Sequence, residues 1–176
     1  RVLVAPAFLY RGEKALPGTI ASPIEAWELA TRLSYFLWSS IPDNELTAVV
    51  ATGALRDAEV LVEQTRRMLK SPKIRRLATE FGCQWLHIRD IETLDEKSER
   101  HFPTFLPLRG DMVEEAIRFF TDLFQRDASV LGIVNADHAF WNEALANHYG
   151  VPCVQVPQLR RGDGVEQGGD AGIVAL

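Results

Sequence analysis

The run Ser71-Pro72-Lys73-Ile74-Arg75-Arg76-Leu77-Ala78-Thr79-Glu80-Phe81-Gly82-Cys83-Gln84-Trp85-Leu86-His87-Ile88 decides the fold class. Ile74, Leu77, Ala78, Phe81, Trp85 and Ile88 fall within roughly 60° of one direction at about 100° per residue, the stripe of an amphipathic helix. Ser71-Pro72 opens that helix, because a serine caps and a proline suits the first turn. Working downstream, a helix from Asp111 carries a second stripe of Val113, Ala116, Ile117, Phe120, Leu123 and Phe124. Its outer face sets Glu114 four before Arg118 and Asp122 four before Arg126, the favourable order for helix ion pairs.

Upstream, Ser22-Pro23-Ile24-Glu25 reads as a capping box ahead of Ala26, Leu29, Ala30, Leu33, Phe36 and Leu37. Pro42 ends that helix and starts another, with Asp43 and Glu45 in its first turn and Gly53 as its stop. Asp57 caps a third helix bearing Leu61, Val62, Thr65, Met68 and Leu69. A short turn is expected over 129–134, and a last helix from Asp137 to Tyr149, stopped by Gly150 and Pro152. No segment alternates apolar and polar residues as a half-buried strand does; the one strand-like stretch, 151–156, holds Pro152 and is followed by Pro157. The expectation is an all-α irregular bundle of five to seven helices, with a long loop at 89–110 and an irregular C-terminal tail. Residues 1–21 read as the end of a preceding module and a linker, 22–156 as the helical domain, and 157–176 as a linker or the start of a following module. The apolar runs at both ends, Val2 to Tyr10 and Ala171 to Leu176, suggest a segment of a longer polypeptide.

Composition narrows the function. At 176 residues, 47% apolar and 24% charged, the chain has the mix of a globular domain rather than a disordered one. A net charge of −5 makes it a poor general binder of nucleic acid. No uninterrupted apolar run approaches the ~18 residues of a membrane-spanning helix. Charge is uneven: residues 56–76 hold seven basic and three acidic groups, and 89–127 six basic and ten acidic. The first suits an acidic partner; two solvated helix faces explain both equally. Two cysteines, Cys83 and Cys153, make neither a disulfide framework nor a four-thiolate zinc site.

Candidate chemistry is sparse. Cys83 and His87, four apart on the helical wheel, share the side opposite the apolar stripe, as two metal ligands would; Arg76 nearby would make Cys83 reactive. Four ligands are needed for a closed site, so a surface pair is the competing reading. Asp137, Asn142, His148 and Tyr149 cluster around Trp141 and could line a polar pocket with Asp137 as base; helix capping explains Asp137 and Asn142 as well. His148, at the end of the last helix, is also a candidate axial ligand for a haem held elsewhere. No Cys-x-x-Cys-His is present, so no haem c is attached covalently within the segment. The four tryptophans, Trp27, Trp38, Trp85 and Trp141, could line a pocket, but their apolar spacing favours core packing. Phosphate loops and the usual dinucleotide, hydrolase and zincin motifs are missing from the sequence.

Leu29-Ala30-Thr31-Arg32-Leu33-Ser34-Tyr35-Phe36-Leu37-Trp38-Ser39-Ser40-Ile41-Pro42-Asp43-Asn44-Glu45-Leu46 is distinctive. It resembles the helical domain of unknown function in large planctomycete-type proteins that also carry cytochrome c modules. Arg67-Met68-Leu69 before Ser71-Pro72, Phe81 with Gln84-Trp85-Leu86, Phe102-Pro103, and Glu114-Glu115 with Phe119-Phe120 are similar to the same family. So are Asn142, Leu145-Ala146 and His148-Tyr149-Gly150. Pro6 to Arg11 is similar to the end of the module that precedes it there, and Arg160-Arg161-Gly162 to the start of the one that follows. The resemblance spans about residues 5–162. It implies an exported, periplasmic or cell-surface multi-domain protein with haem c elsewhere in the polypeptide, and partners among its neighbouring domains, a cytochrome included. Three roles stay open: an accessory or scaffold domain supporting electron transfer or assembly, an enzyme domain with the polar pocket and the 89–110 loop as lid, and a purely structural interaction module.

Overall fold

The computed structural model describes residues 23–91, 93, 100–151 and 158–163. Ser22, Cys153, most of the 151–156 stretch and the two ends lie outside them. Seven helices, a short 3-10 turn at Ala54–Arg56 and one two-stranded antiparallel sheet are described, which is the expected helical bundle. Helix α1 is Ala26–Trp38, α2 is Asn44–Ala51 and α3 is Ala58–Lys70. Pro23 precedes the helix rather than opening it: Glu25 is the extended N-cap residue, and its carboxylate turns to Arg56 at 3.3 Å. Asp43 and Asp57 cap α2 and α3 through backbone N–H groups of Leu46 and Glu59. Gly53, at φ 75°, takes the left-handed conformation that ends α2's turn and that other residues adopt only with strain.

These three helices close around Ala30, Leu37, Trp38, Leu46, Val50, Leu55 and Met68, joined by Ile74 and Leu77. Trp38 fastens the layer, its indole N–H donating to the Met68 carbonyl at 3.0 Å and Lys73 lying 4.6 Å over its ring. Arg67 pairs with Asp43 at 2.7 Å and Glu45 at 3.0 Å, tying α3 to the start of α2.

The next helix, α4 (residues 72–85), departs from the expected wheel. Ser71 and Pro72 start it as expected, but Ala78–Gly82 forms a π turn between the short α-helical pieces Arg75–Leu77 and Cys83–Trp85. A π turn holds one extra residue, so everything after it rotates by about 100°. Gly82 and Cys83 turn inward, while Phe81 and Trp85 are 49% and 54% exposed instead of filling the core. Helix α5, Phe105–Gln125, supplies the reason. The Phe120 ring lies against Gly82, and a Cβ there would stand 2.7 Å from Cδ2. Only glycine admits that approach, so the extra residue that brings Gly82 inward displaces Phe81.

Helix α5, Phe105–Gln125, starts six residues before Asp111. The loop expected over 89–110 is therefore helical at its end, with Pro107 in the first turn, where its missing N–H is not needed. The stripe Val113, Ala116, Ile117, Phe120 and Leu123 is buried with Ala78, Cys83, Ile88 and Ile91. Phe124 packs against this cluster and the first one, joining them.

A short α6, Gly132–Asn135, leads to strand β1, His138–Trp141, then α7, Glu143–Tyr149, then strand β2, Arg160–Asp163. The last helix thus begins at Glu143, not Asp137, and β2 occupies four residues of the tail. The strands pair antiparallel, Trp141 opposite Arg160 and His138 opposite Asp163. Gly162 lies directly beneath the Trp141 indole, where any side chain would collide. Trp141, Leu145, Ala146, Leu159 and Leu108 form a third core. Trp27, like Trp85, is exposed, so only Trp38 and Trp141 are core tryptophans. Among the described residues no helix is long and apolar enough to cross a membrane.

Candidate functional site

Two polar rungs join α5 to α7. Asn142 caps α7: its side-chain carbonyl accepts from the Leu145 N–H at 2.9 Å, and its amide donates to Asp111 Oδ2 at 2.8 Å. Two turns on, the Tyr149 hydroxyl donates to Glu115 Oε2 at 2.9 Å. Asp111 and Glu115 share a face of α5 because they are four apart. Burial pushes Glu115 up to about 7, against the opposing pull of the Tyr149 hydrogen bond. Burial also pushes the Tyr149 hydroxyl well up, and the Glu115 carboxylate beside it adds to that. Near neutral pH this pair exchanges a proton on Glu115 while Tyr149 keeps its own.

His148 is exposed and sits beside Tyr149, with ring centroids 5.4 Å apart, and its Nδ1 is 3.4 Å from Thr104 Oγ1. Asp137 does not join this group. Its side chain is 91% exposed, ahead of β1, within 3.3 Å of His138 Nδ1. The other ring nitrogen of His138 is 3.5 Å from Asp122, which also takes Arg161 at 3.0 Å and Arg126 at 3.5 Å. His138 stacks on Phe119 at 5.5 Å. Of the four residues expected to form one pocket, Asn142 and Tyr149 reach α5 from opposite ends of α7, exposed His148 turns to Thr104, and Asp137 belongs to a second, surface cluster. Asp111, Glu115 and Asp122 carry no site role in the sequence, where they read as residues of a helix face. The spacing of Asp111 and Glu115 was the available signal, but an outward acidic pair looks the same.

The Cys83–His87 pair does not exist as a helical face. The chain leaves the helix after Trp85, and His87 takes φ 59° with its Nδ1 2.9 Å from the Gln84 carbonyl oxygen. Cys83 is 2% exposed, and burial pushes its thiol up rather than activating it, with Arg75 and Arg89 opposing only in part. Among the described residues no three His, Cys, Asp or Glu side chains are arranged to hold a metal ion.

The helices α1 to α7 fall within one family: the description "Protein of unknown function (DUF1592)" matches residues 24–151. The chain belongs to the DUF1592 family. No curated protein and no solved structure matches it. In this DUF1592 domain the matched span ends after Gly150, the left-handed residue at φ 72° that stops α7, and strand β2 lies beyond it.

Proposed function

We propose that this DUF1592 domain is a helical accessory domain of an exported, multi-domain cytochrome c-type protein, docking neighbouring modules and supporting electron transfer or assembly. Its parent would be periplasmic or at the cell surface, with haem c attached elsewhere. One observation carries the reading: the bundle turns large aromatic side chains outward, Trp27 and Phe36 on α1 and Phe81 and Trp85 on α4. Aromatic residues of this kind anchor protein interfaces. The polar groups of the α5–α7 rungs are committed to one another instead. Haem would not be held covalently here, since the only described cysteine is buried and no attachment motif is present.

The intact parent protein tests this. A haem absorption band is expected, together with Trp85 emission that is quenched in the parent and recovers in Phe81→Ala. A parent without any haem band, or one with Trp85 as accessible to iodide as in the isolated chain, overturns the proposal.

A second reading, an enzyme domain acting on an extracellular substrate, is favoured by Glu115 alone, a carboxyl titrating near 7 as general acids and bases do. Once an activity is in hand, Glu115→Gln is expected to abolish it under this reading and to leave it unchanged under the first.

A further inference from the structure

We propose that the cleft between strand β1 and helix α5 is a peptide-accepting site for an extended Leu-x-Arg-Gly strand, and that the chain's own Leu159–Gly162 fills it in cis. The two sides of this contact differ in origin. β1, α5 and Trp141 lie inside the span that matches the DUF1592 family, residues 24–151, whereas the strand seated on them begins after it. That strand is nevertheless tied into the core: Leu159 is 7% exposed and packs with Leu108, Trp141, Leu145 and Ala146.

Each position of the strand meets a different partner. The backbone pairs antiparallel with β1 over four residues, from Trp141 opposite Arg160 to His138 opposite Asp163. Strand addition of this kind draws affinity from the main chain and selectivity from the side chains. Leu159 fills the third core, and its carbonyl accepts from Arg118 Nη1 at 2.7 Å. Arg161 Nη1 donates to Asp122 Oδ2 at 3.0 Å. Arg118 and Asp122 are four apart, so one face of α5 meets both positions. Gly162 passes so close to the Trp141 indole that a methyl group there would collide with it. Arg160 is exposed and sets no requirement. The fitting sequence is therefore an apolar residue, any residue, an arginine and a glycine.

The chain beyond Asp163 consequently leaves the domain beside His138 and is tethered to α5 through these contacts. The cleft uses neither haem nor the outward aromatic side chains, so it stands or falls separately from the accessory-domain reading.

Fluorine NMR of the 176-residue chain labelled with 5-fluorotryptophan tests the cleft, with the Trp141 resonance assigned by Trp141→Phe. Gly162→Ala is expected to expel the strand. The Trp141 resonance shifts, and the amides of 159–163 lose at least about tenfold in hydrogen-exchange protection. The Trp38 resonance and the amides of α2 and α3 keep their wild-type values. The free peptide Gln158–Asp163 of wild-type sequence, added in millimolar excess to Gly162→Ala, is expected to return the Trp141 resonance to its original position. The same peptide carrying Gly162→Ala or Arg161→Ala is expected to fail. An unmoved Trp141 resonance in Gly162→Ala overturns the proposal, as does a wild-type peptide that restores nothing, or equal restoration by all three peptides. If Gly162→Ala does not fold, Arg161→Ala decides: a severalfold loss of protection confined to 159–163 is expected, and protection that is unchanged there, or lost equally in α2 and α3, overturns the cleft.

Discussion

The layer built by α1 to α3 and the half that begins at α4 are both helical, yet they relate to their sequences differently. In the first, each helix keeps 3.6 residues per turn, and local chemistry sets where it starts and stops: Asp43 and Asp57 cap, Gly53 turns the chain. In the second, a π turn and a two-stranded sheet answer to partners on other elements: Phe120 against Gly82, and Trp141 against Gly162. Regular helices report their inward face through periodicity; a helix whose glycine must meet a ring 38 residues further along the chain does not.

The sharpest way to break this contrast is by deletion. Removing Glu63 from α3 rotates all that follows by about 100° and turns Met68 away from the core. Losing that burial alone costs about 2–5 kcal/mol, and the displaced Trp38 contact adds to it. Loss of cooperative unfolding by calorimetry is expected. Removing Glu80 from the π turn should instead leave an ordinary α turn with Gly82 still inward, and a native circular-dichroism spectrum.

Phe120→Ala empties the site that the π turn serves, and denaturant titration is expected to give a loss of about 3–5 kcal/mol. Gly82→Ala forces a methyl group into the Phe120 ring, and about 1–3 kcal/mol is expected to be lost. Stability that is unchanged in Gly82→Ala would remove the proposed cause of the π turn.

The smallest effect belongs to the first layer. Asp43→Ala removes a cap and the Arg67 ion pair, for about 1–2 kcal/mol. The Arg67 guanidinium holds the Asp43 carboxyl below its ordinary 3.8. Its contribution is thus complete above that pH and fades as the pH drops below it. Wild type and Asp43→Ala are expected to converge in acid melts, whereas Glu115→Gln should diverge from wild type toward neutral pH.

Much of the fold is legible in the residues. Ion pairs Glu114–Arg118 and Asp122–Arg126 form as their spacing requires, at 2.7 and 3.5 Å. The α5 stripe is buried as read, because one face of a regular helix must leave water. The candidate site was legible only on α7. Asn142 and Tyr149 carry polar groups at the right positions, but their partners Asp111 and Glu115 lie over thirty residues earlier and look like solvent-facing carboxylates. Cys83 lies inside for the same reason that Phe81 lies outside: one added residue in the helix exchanges the two faces.

From its sequence alone this chain is an all-helical domain with most caps, stops and stripes in place, since those depend on neighbours within a turn or two. Which face of α4 lies inside, where β1 and β2 pair, and which carboxyl meets Tyr149 are decided only when the cores close. Those choices depend on close contact between residues far apart in the chain, and helical period carries no record of such contacts.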